Sequence, residues 1–351
     1  MRHSPRAMYP QTALLTALLD HGLRPPVERR TVEGIVAGRG RVTPDRPPFS
    51  WVTGAVDRSV GTTYGTAPAR DGYEIPLRIY RPRAVRDRDT DVPVVVFLHG
   101  GGFVEGNVVM YDPLCSHLAA RVRALVVSVD YRLAPEHRSP TAAQDCFDAT
   151  TWVERHGSVL HADTSRMALC GDSAGGNLAA VTAQLLRDRG DSPVRHQALI
   201  YPATDMTLAS PSIHDNADAP MLTRASIVAF REHYLPPGSD PADPLVSPLF
   251  GSLEGLPPAL VQTADLDPLR DDGARYAAAL EAAGVPVRLT NYVRVPHGFA
   301  SIPGVVPSSG QHRAELVAEL ASHLYDERSP RPSTRPSHGA AGEVPQTAPA
   351  G

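Results

Sequence analysis

The stretch "CGDSAGGN", Cys170 to Asn177, places a serine between glycines on either side. The preceding run "RMALC" has the pattern of a strand, and the following "LAAVTAQLLRD" has helical periodicity. Glycine is needed where the backbone turns sharply or where chain segments approach closely. A strand that turns abruptly into a helix exposes the turn residue at the end of the strand. The hydroxyl of Ser173 is therefore expected to be presented for chemistry.

Strand and helix patterns alternate on both sides of this motif. Two strands are predicted between residues 57 and 81, around the turn signal "RDG". Near-continuous runs of Val, Leu and Ile then alternate with amphipathic helices, which indicates a mainly parallel sheet covered on both faces, an α/β fold. The later strands are "VPVVVFL", "ALVVSVDY", "RMALC", "HQALIYP", "PALVQTA" and "VRLTNYVRV", and helices are predicted over 114–122, 142–155, 271–283 and 311–324.

The ends of the chain and one insertion depart from this alternation. The first 50 or so residues look helical and then irregular, and residues 201–257 form a longer insertion with a helix predicted over 223–234. We expect these two regions to pack together over one edge of the sheet. Residues 326–351 are rich in Pro, Ser, Gly and Ala, so we predict that this tail is disordered.

Composition excludes several classes of function. The formal net charge of −4 leads us to expect neither nucleic acid nor a membrane as a partner, and the chain contains no lysine. Without a lysine, the chain can neither form a Schiff base through a lysine amine nor carry the lysine of a phosphate-binding loop. Cys115, Cys146 and Cys170 form no CxxC pair and are predicted to be free core thiols. We expect no metal and no cofactor, and no segment suggests a membrane span or a secretion signal, so a cytoplasmic location is expected.

Two glycine-containing motifs together indicate acyl-transfer chemistry. Gly171 to Gly175 fits G-x-S-x-G, in which Ser173 is the nucleophile and the N–H of Ala174 faces a developing oxyanion. The second motif, "FLHGGGF", follows an earlier strand and offers further backbone N–H groups that no side chain covers. A phosphate cradle is the alternative, but its usual spacing and its lysine are both missing.

A serine nucleophile needs a base, and chain order narrows the choice. In parallel-sheet hydrolases the order is Ser, then Asp or Glu, then His. The histidines late in the chain are His297, His312, His323 and His338. His312 and His323 fall on a predicted helix and His338 falls in the tail. His297 alone follows a strand, in "VRVPHGF", and is therefore predicted to be the base.

The carboxylate that orients this base is less well determined by the residues. The segment "VQTADLDPLRDDG" offers four aspartates just beyond a strand. Asp271 and Asp272 look like helix-start acids, which the helix dipole favours. Asp265 and Asp267 both lie in the loop, and spacing alone does not separate them.

Five motifs occur in the order seen in a known family. "HGGGF", "DYRLAPEH", "GDSAGGNLAA", "DPLRDDG" and "HGF" resemble the hormone-sensitive-lipase-like family of α/β-hydrolases, with the bacterial carboxylesterases most similar. The resemblance spans roughly residues 55–325. It implies an α/β-hydrolase domain over 56–325 and a helical cap made of residues 1–55 and an insertion at about 205–240. Both cap regions match the family least well.

The resemblance also assigns roles to site residues. The aspartate of the Asp-Pro-Leu segment orients the histidine in that family, which implies Asp267 here. It further implies a catalytic triad of Ser173, Asp267 and His297, with Gly101, Gly102 and Ala174 as the oxyanion donors.

The resemblance implies a serine carboxylesterase acting on small-molecule esters with short to medium acyl chains. A deacetylase or amide hydrolase with the same triad is the alternative. A ligand-binding protein that has lost the triad is a different class, and the presence of His297 argues against it. Family members often pair through the last strand, here near 287–295, so a homodimer is a further expectation.

Three remaining side chains have structural interpretations. Glu105, close to the glycine-rich loop, is expected to be a solvated or capping acid rather than a residue that tunes the pocket. In "DYRLAPEH", Arg132 and Glu136 are expected to pair and to fix a loop beneath the nucleophile turn. Cys170 is expected to be a buried residue at the end of a strand.

Overall fold

The computed structural model describes residues 8–20, 25–84 and 92–325. The tail predicted to be disordered, 326–351, lies outside the described residues. No helix within the described ranges is both long and apolar enough to cross a membrane.

A single sheet of eight strands organises the described part of the chain, with the strand order β1-β2-β4-β3-β5-β6-β7-β8. β1 and β2 pair antiparallel, as do β2 and β4, and all other pairs are parallel. The prediction of a mainly parallel sheet is confirmed. The strands are β1 (Val60–Pro68), β2 (Glu74–Pro82), β3 (Pro93–Leu98), β4 (Leu125–Val129), β5 (Asp163–Asp172), β6 (Val194–Ile200), β7 (Ala259–Leu266) and β8 (Val287–Pro296).

Helices connect the strands and cover the sheet. The helices are α1 (Pro10–Leu18), α2 (Val32–Gly38), α3 (Phe49–Thr53), α4 (Asp112–Leu118), α5 (Thr141–Arg155), α6 (Gly157–Leu160), α7 (Ala174–Arg189), α8 (Ser212–Asp215), α9 (Arg224–Tyr234), α10 (Arg270–Ala282) and α11 (Ser309–Tyr325). Shorter helical turns span Val27–Arg29, Val108–Tyr111, Ala119–Arg123, Pro248–Phe250 and Phe299–Ser301.

The central strands are buried on both faces, which explains their continuous apolar sequence. In β3, Val94 and Val96 belong to one hydrophobic cluster and Val95 and Phe97 belong to a second, because successive side chains point to opposite faces. The first cluster includes residues of α5, α7 and α10, and the second includes residues of α4 and α11. The two helical layers therefore enclose the middle of the sheet.

The N-terminal segment and the insertion after β6 contact each other. The Ser226 hydroxyl at the start of α9 donates to the Glu28 carboxylate over 2.9 Å. Arg39, which follows α2, donates to the carbonyl oxygens of Val104 and Ala134. These contacts hold the N-terminal helices over the loop that follows β3.

Candidate active site

Ser173 lies at a sharp turn between β5 and α7. Its backbone has φ 55° and ψ −120°, a strained conformation for a residue with a side chain. Glycine is required on both sides of Ser173 because neighbouring backbone segments leave no room for a side chain. A Cβ on Gly175 would lie 2.0 Å from the Leu98 carbonyl oxygen, and one on Gly171 would lie 2.3 Å from the Gly175 carbonyl oxygen. The turn is fixed from beneath, because the Ser173 N–H donates to the Ile200 carbonyl over 2.8 Å.

Ser173, His297 and Asp267 form a hydrogen-bonded line. His297 Nε2 lies 2.9 Å from Ser173 Oγ, and its Nδ1 lies 2.7 Å from Asp267 Oδ2. Asp267 is fully buried, and its Oδ1 accepts the Leu269 N–H over 2.8 Å. With Nδ1–H donated to the carboxylate, Nε2 can accept the serine proton. Of the two aspartates that spacing left open, Asp265 contacts the Arg294 N–H instead, at 3.4 Å.

The glycine-rich loop after β3 meets this line of side chains. Gly101 and Gly102 have φ values of 124° and 61°, which favour glycine. Within the described ranges no protein acceptor takes the N–H of either residue. Gly102 is covered by the ring of Phe230 on α9, since a Cβ there would lie 2.4 Å from the ring. These N–H groups and that of Ala174 border the same cavity as Ser173 and His297.

Asp172 connects the two motifs, a role that the sequence reasoning missed. Its Oδ1 accepts the Gly100 N–H over 2.8 Å, and its Oδ2 accepts the hydroxyls of Tyr111 and Tyr201 at 3.0 and 3.3 Å. Burial raises the pKa of Asp172 to about 6, and these hydrogen bonds oppose that shift. The residue stands at a variable position of G-x-S-x-G, so the motif alone carried no signal for it.

The cavity above Ser173 is small and mostly apolar. Its volume is about 260 Å³. The insertion after β6 and the end of the β7–α10 loop supply apolar side chains to its wall. The apolar side chains there are Met206, Leu208, Met221, Leu222, Ile227, Phe230 and Leu269.

Comparisons with known proteins show which family the chain belongs to. A family model described as alpha/beta hydrolase fold matches residues 95–301. The chain is 46% identical over 257 residues to carboxylesterase NlhH of Mycobacterium tuberculosis, covering 72% of this chain and 79% of that protein. It is 45% identical over 245 residues to esterase LipI of the same organism, covering 69% and 76%. The chain belongs to the hormone-sensitive-lipase-like carboxylesterases.

Solved esterases of this family share the fold. The chain resembles the hyperthermophilic esterase of Pyrobaculum calidifontis with a TM-score of 0.78 and 36% identity, covering 90% of this chain and 99% of that one. It resembles a thermostable esterase of Pseudomonas putida with a TM-score of 0.82 and 32% identity, covering 93% and 100%. The α/β-hydrolase fold predicted from the sequence is thereby confirmed.

Asp272 stands with Asp271 in the first turn of α10, so the prediction of two helix-start acids is confirmed. Asp272 is also fully buried. Its Oδ2 accepts the N–H groups of Thr204 and Asp205, both at 3.2 Å, so it also fixes the segment that follows β6. Burial raises the pKa of Asp272 to about 7, and the Asp205 carboxylate adds to this shift. Asp205 itself is paired with Arg275 at 2.5 Å.

The expectation for Glu105 was wrong. The side chain is neither solvated nor a helix cap: it is buried, pairs with Arg30 of the N-terminal segment and borders the cavity. Pairing with an arginine offsets the cost of burying the carboxylate. No sequence signal could indicate this contact, because the two residues are 75 positions apart.

The predicted pair of Arg132 and Glu136 was also wrong, although both residues form structural ion pairs. Arg132 holds Asp145 of α5 through two hydrogen bonds of 2.9 and 2.7 Å and also contacts Asp71. Glu136 is bound by Arg39 from the N-terminal segment. A guanidinium binds a carboxylate most strongly when two of its N–H groups donate to the two carboxylate oxygens, and Arg132 forms such a bidentate pair with Asp145.

The three cysteines are buried and form no disulfide, as predicted. Cys170 ends its strand in the core, where burial raises the pKa of its thiol. Cys170 is therefore a neutral thiol beneath the turn that carries Ser173. The prediction that it is a buried residue at the end of a strand is confirmed.

Proposed function

We propose that this protein is a serine carboxylesterase that hydrolyses small esters with short to medium acyl chains. The observation that carries the proposal is the continuous line from Ser173 Oγ through His297 to Asp267, with distances of 2.9 and 2.7 Å. A nucleophile bonded to a base, and the base to an orienting carboxylate, is the arrangement that acyl transfer needs.

The reaction runs in two steps. Ser173 Oγ forms a bond to the ester carbonyl carbon while its proton passes to His297 Nε2, and Asp267 stabilises the imidazolium. The oxyanion accepts hydrogen bonds from the N–H groups of Gly101, Gly102 and Ala174. The C–O bond to the alcohol then breaks as His297 returns the proton to the leaving oxygen. Water then attacks the acyl carbon while His297 takes its proton, and the bond to Ser173 Oγ breaks as His297 returns that proton to Oγ, which releases the carboxylic acid.

The size of the cavity supports the substrate class. Ligand pockets for drug-sized molecules occupy about 300–1,000 Å³, whereas this cavity of about 260 Å³ fits a smaller molecule. Its lining is apolar beyond the reacting groups, which favours an uncharged acyl chain. Phe230 over Gly102 limits the space next to the oxyanion donors.

We also propose that residues 1–55 and about 205–240 act together as the cap of the 56–325 catalytic domain. The support is the Ser226 to Glu28 hydrogen bond, the Arg30 to Glu105 pair and the position of Phe230 in the cavity wall. A homodimer formed through β8 is proposed on the exposure of Leu289 and Val293 on this edge strand. A cytoplasmic location stays a prediction from the sequence.

The test is hydrolysis of p-nitrophenyl acetate, butyrate, octanoate and laurate by the wild type and by Ser173→Ala. Removal of a triad nucleophile is expected to lower turnover on the order of 10⁶-fold. The wild type is expected to hydrolyse the acetate, butyrate and octanoate esters faster than the laurate ester. Ser239→Ala is the matched control and should keep full activity, because Ser239 is exposed and does not line the cavity. Wild-type turnover that survives in Ser173→Ala, or that exists only for matched acyl anilides, would contradict the proposal.

A further inference from the structure

Two histidines and one glutamate meet where α11 packs on β6. His196 lies on β6, and Glu319 and His323 lie on α11. One donor atom from each of the three side chains lies within 4.8 Å of the others. None of the three borders the catalytic cavity. We propose that this cluster binds a divalent transition-metal ion, with Zn²⁺ as the best match to its donors.

His196 is the buried member of the cluster. It is fully buried, and neither ring nitrogen has a hydrogen-bond partner of good geometry among the described residues. A buried polar group without a partner costs free energy, so such a ring points to a ligand that completes it.

His323 is oriented by its own helix. Its Nδ1 donates to the Glu319 carbonyl oxygen over 2.9 Å, so Nε2 keeps its lone pair free. A ligating histidine commonly donates its other ring N–H to a backbone carbonyl or a carboxylate, which fixes the tautomer and the direction of the ring. In this arrangement the hydrogen bond thus leaves Nε2 as the donor atom of His323 that is available to an ion.

Glu319 supplies the third donor from one helical turn earlier, on the same face as His323. Its Oε1 is held by Arg288 at 3.0 Å, and its Oε2 lies 3.9 Å from His323 Nδ1. Arg288 is also paired with Glu315 at 2.9 Å, so two carboxylates balance its positive charge. The net charge around the cluster therefore does not repel a cation.

The donors need a small rearrangement to hold the ion. Bonds of about 2.1 Å in a tetrahedral site place donors about 3.4 Å apart, so the widest separation must close from 4.8 Å. The two imidazole rings are stacked with centroids 4.2 Å apart and planes 17° apart, so their lone pairs run nearly parallel. His323 must therefore turn, and its side chain, which is 24% exposed, has the room to do so. Two nitrogens, one carboxylate oxygen and a water complete a four-coordinate Zn²⁺.

The position of the cluster implies a stabilising role. In the β5–β6 pairing His196 lies opposite Ala168, whereas Asp172, next to the nucleophile, lies opposite Ile200. The cluster is thus four residues along the strand from the catalytic end of the sheet. A bound ion would join α11 to β6 and would stabilise the folded state without entering the reaction.

The experiment uses the full chain, freed of metal with a chelator that is then removed. Zn²⁺ is titrated by calorimetry, thermal unfolding is followed with and without Zn²⁺, and Co²⁺ is used as a visible-absorbing probe. We expect one high-affinity ion per chain, a Tm that rises with Zn²⁺, and Co²⁺ absorption typical of four-coordinate nitrogen and oxygen ligands. Hydrolysis of p-nitrophenyl butyrate below the Tm should be unchanged by Zn²⁺.

Two variants on the partly exposed helix face avoid disturbing the core. His323→Ala and Glu319→Gln should each weaken binding at least about tenfold and abolish the rise in Tm. His137→Ala, which removes an exposed histidine elsewhere, is the matched control and should bind as the wild type does. A wild type that binds no Zn²⁺, or one whose binding survives in His323→Ala, would overturn the proposal.

Discussion

At the scale of single residues, the contact between His297 and one of two neighbouring aspartates decides how this proposed base is oriented. Asp267 is buried and lies 2.7 Å from His297 Nδ1, while the Asp265 carboxylate accepts the Arg294 N–H at 3.4 Å. A carboxylate at Nδ1 fixes the tautomer and stabilises the imidazolium. The other oxygen of Asp267, Oδ1, accepts the Leu269 N–H. The carboxylate is therefore held by hydrogen bonds at both of its oxygens.

The first prediction separates these two aspartates. Asp267→Asn should lower kcat for p-nitrophenyl butyrate on the order of 10⁴-fold, because an amide at this place favours the wrong tautomer of His297. Asp265→Asn, two residues away at the end of β7 and not in the loop that the sequence predicted for it, should stay within about threefold of the wild type. Equal losses in the two variants would mean that Asp267 has no special role in orienting His297.

The sequence alone could not show which of Asp265 and Asp267 contacts His297, because this depends on how β7 pairs with β8. Both aspartates follow the apolar run of β7, and nothing in their spacing distinguishes them. The pairing of β7 with β8 shifts between Ala264 and Leu266, and Leu266 then lies opposite Pro296. The next residue of each strand end is Asp267 on one side and His297 on the other. An irregularity in pairing is invisible in a single sequence, whereas His297 could be found by chain order.

At the scale of elements, the nucleophile turn depends on the close approach of three backbone segments. The end of β5, the start of α7 and the end of β3 meet where Gly171 and Gly175 allow no side chain. The contact of Gly175 is with backbone oxygens of Leu98 and His99, which cannot move aside as a flexible side chain can. The position of α7 relative to the glycine-rich loop therefore depends on this residue.

The second prediction concerns this contact. Gly175→Ala should destabilise the protein by about 1–3 kcal/mol or more, since a methyl group would be forced against two carbonyl oxygens. It should also lower kcat, because the loop that carries Gly101 and Gly102 is displaced with Leu98. The measurements are urea unfolding and hydrolysis of p-nitrophenyl butyrate.

Gly310→Ala is the matched control for that prediction. Gly310 lies in α11, and a Cβ there meets nothing within 4 Å. Because alanine favours helix more than glycine does, this variant should gain up to about 1 kcal/mol. Stability unchanged in Gly175→Ala would show that the backbone relaxes at the turn and that the glycine is not required there.

Elements were predicted well and their contacts were not. The helix predicted over 271–283 is α10, Arg270–Ala282, and the one predicted over 223–234 is α9, Arg224–Tyr234. Hydrophobic periodicity is local, so it identifies an element without its neighbours. The pairs of Arg30 with Glu105 and of Arg39 with Glu136 join residues 75 and 97 positions apart. Such pairs follow from how the N-terminal segment folds back, which no local pattern describes.

At the scale of the whole molecule, stability depends on pH through acids that folding buries. Burial raises the pKa of Asp272 to about 7 in the folded protein, whereas the carboxyl of an unfolded chain has its ordinary value of 3.8. Between these values the folded state binds a proton that the unfolded state has lost. Stability from this group is therefore complete below pH 3.8 and is lost as the pH rises through about 7.

The third prediction tests this linkage. Asp272→Asn is an uncharged analogue of the protonated acid, so its stability relative to the wild type should rise between pH 5 and pH 8, by an amount on the order of a few kcal/mol. The measurement is urea unfolding at both pH values. Asp188→Asn, at an exposed position, is the control and should show no such dependence. A gain that is the same at pH 5 and pH 8 would rule out titration of Asp272 as its source.

The place of β8 in the sheet has a consequence for how folding is assayed. β8 is the last strand in the order and pairs with β7 alone, yet the proposed catalytic base stands directly beyond its end. The proposed nucleophile, by contrast, follows β5, which has neighbours on both sides. Edge strands fray before central ones, since fewer interactions hold them. Turnover therefore reports on an edge strand, and we expect hydrolysis to be lost in denaturant or heat while the centre of the sheet is still folded.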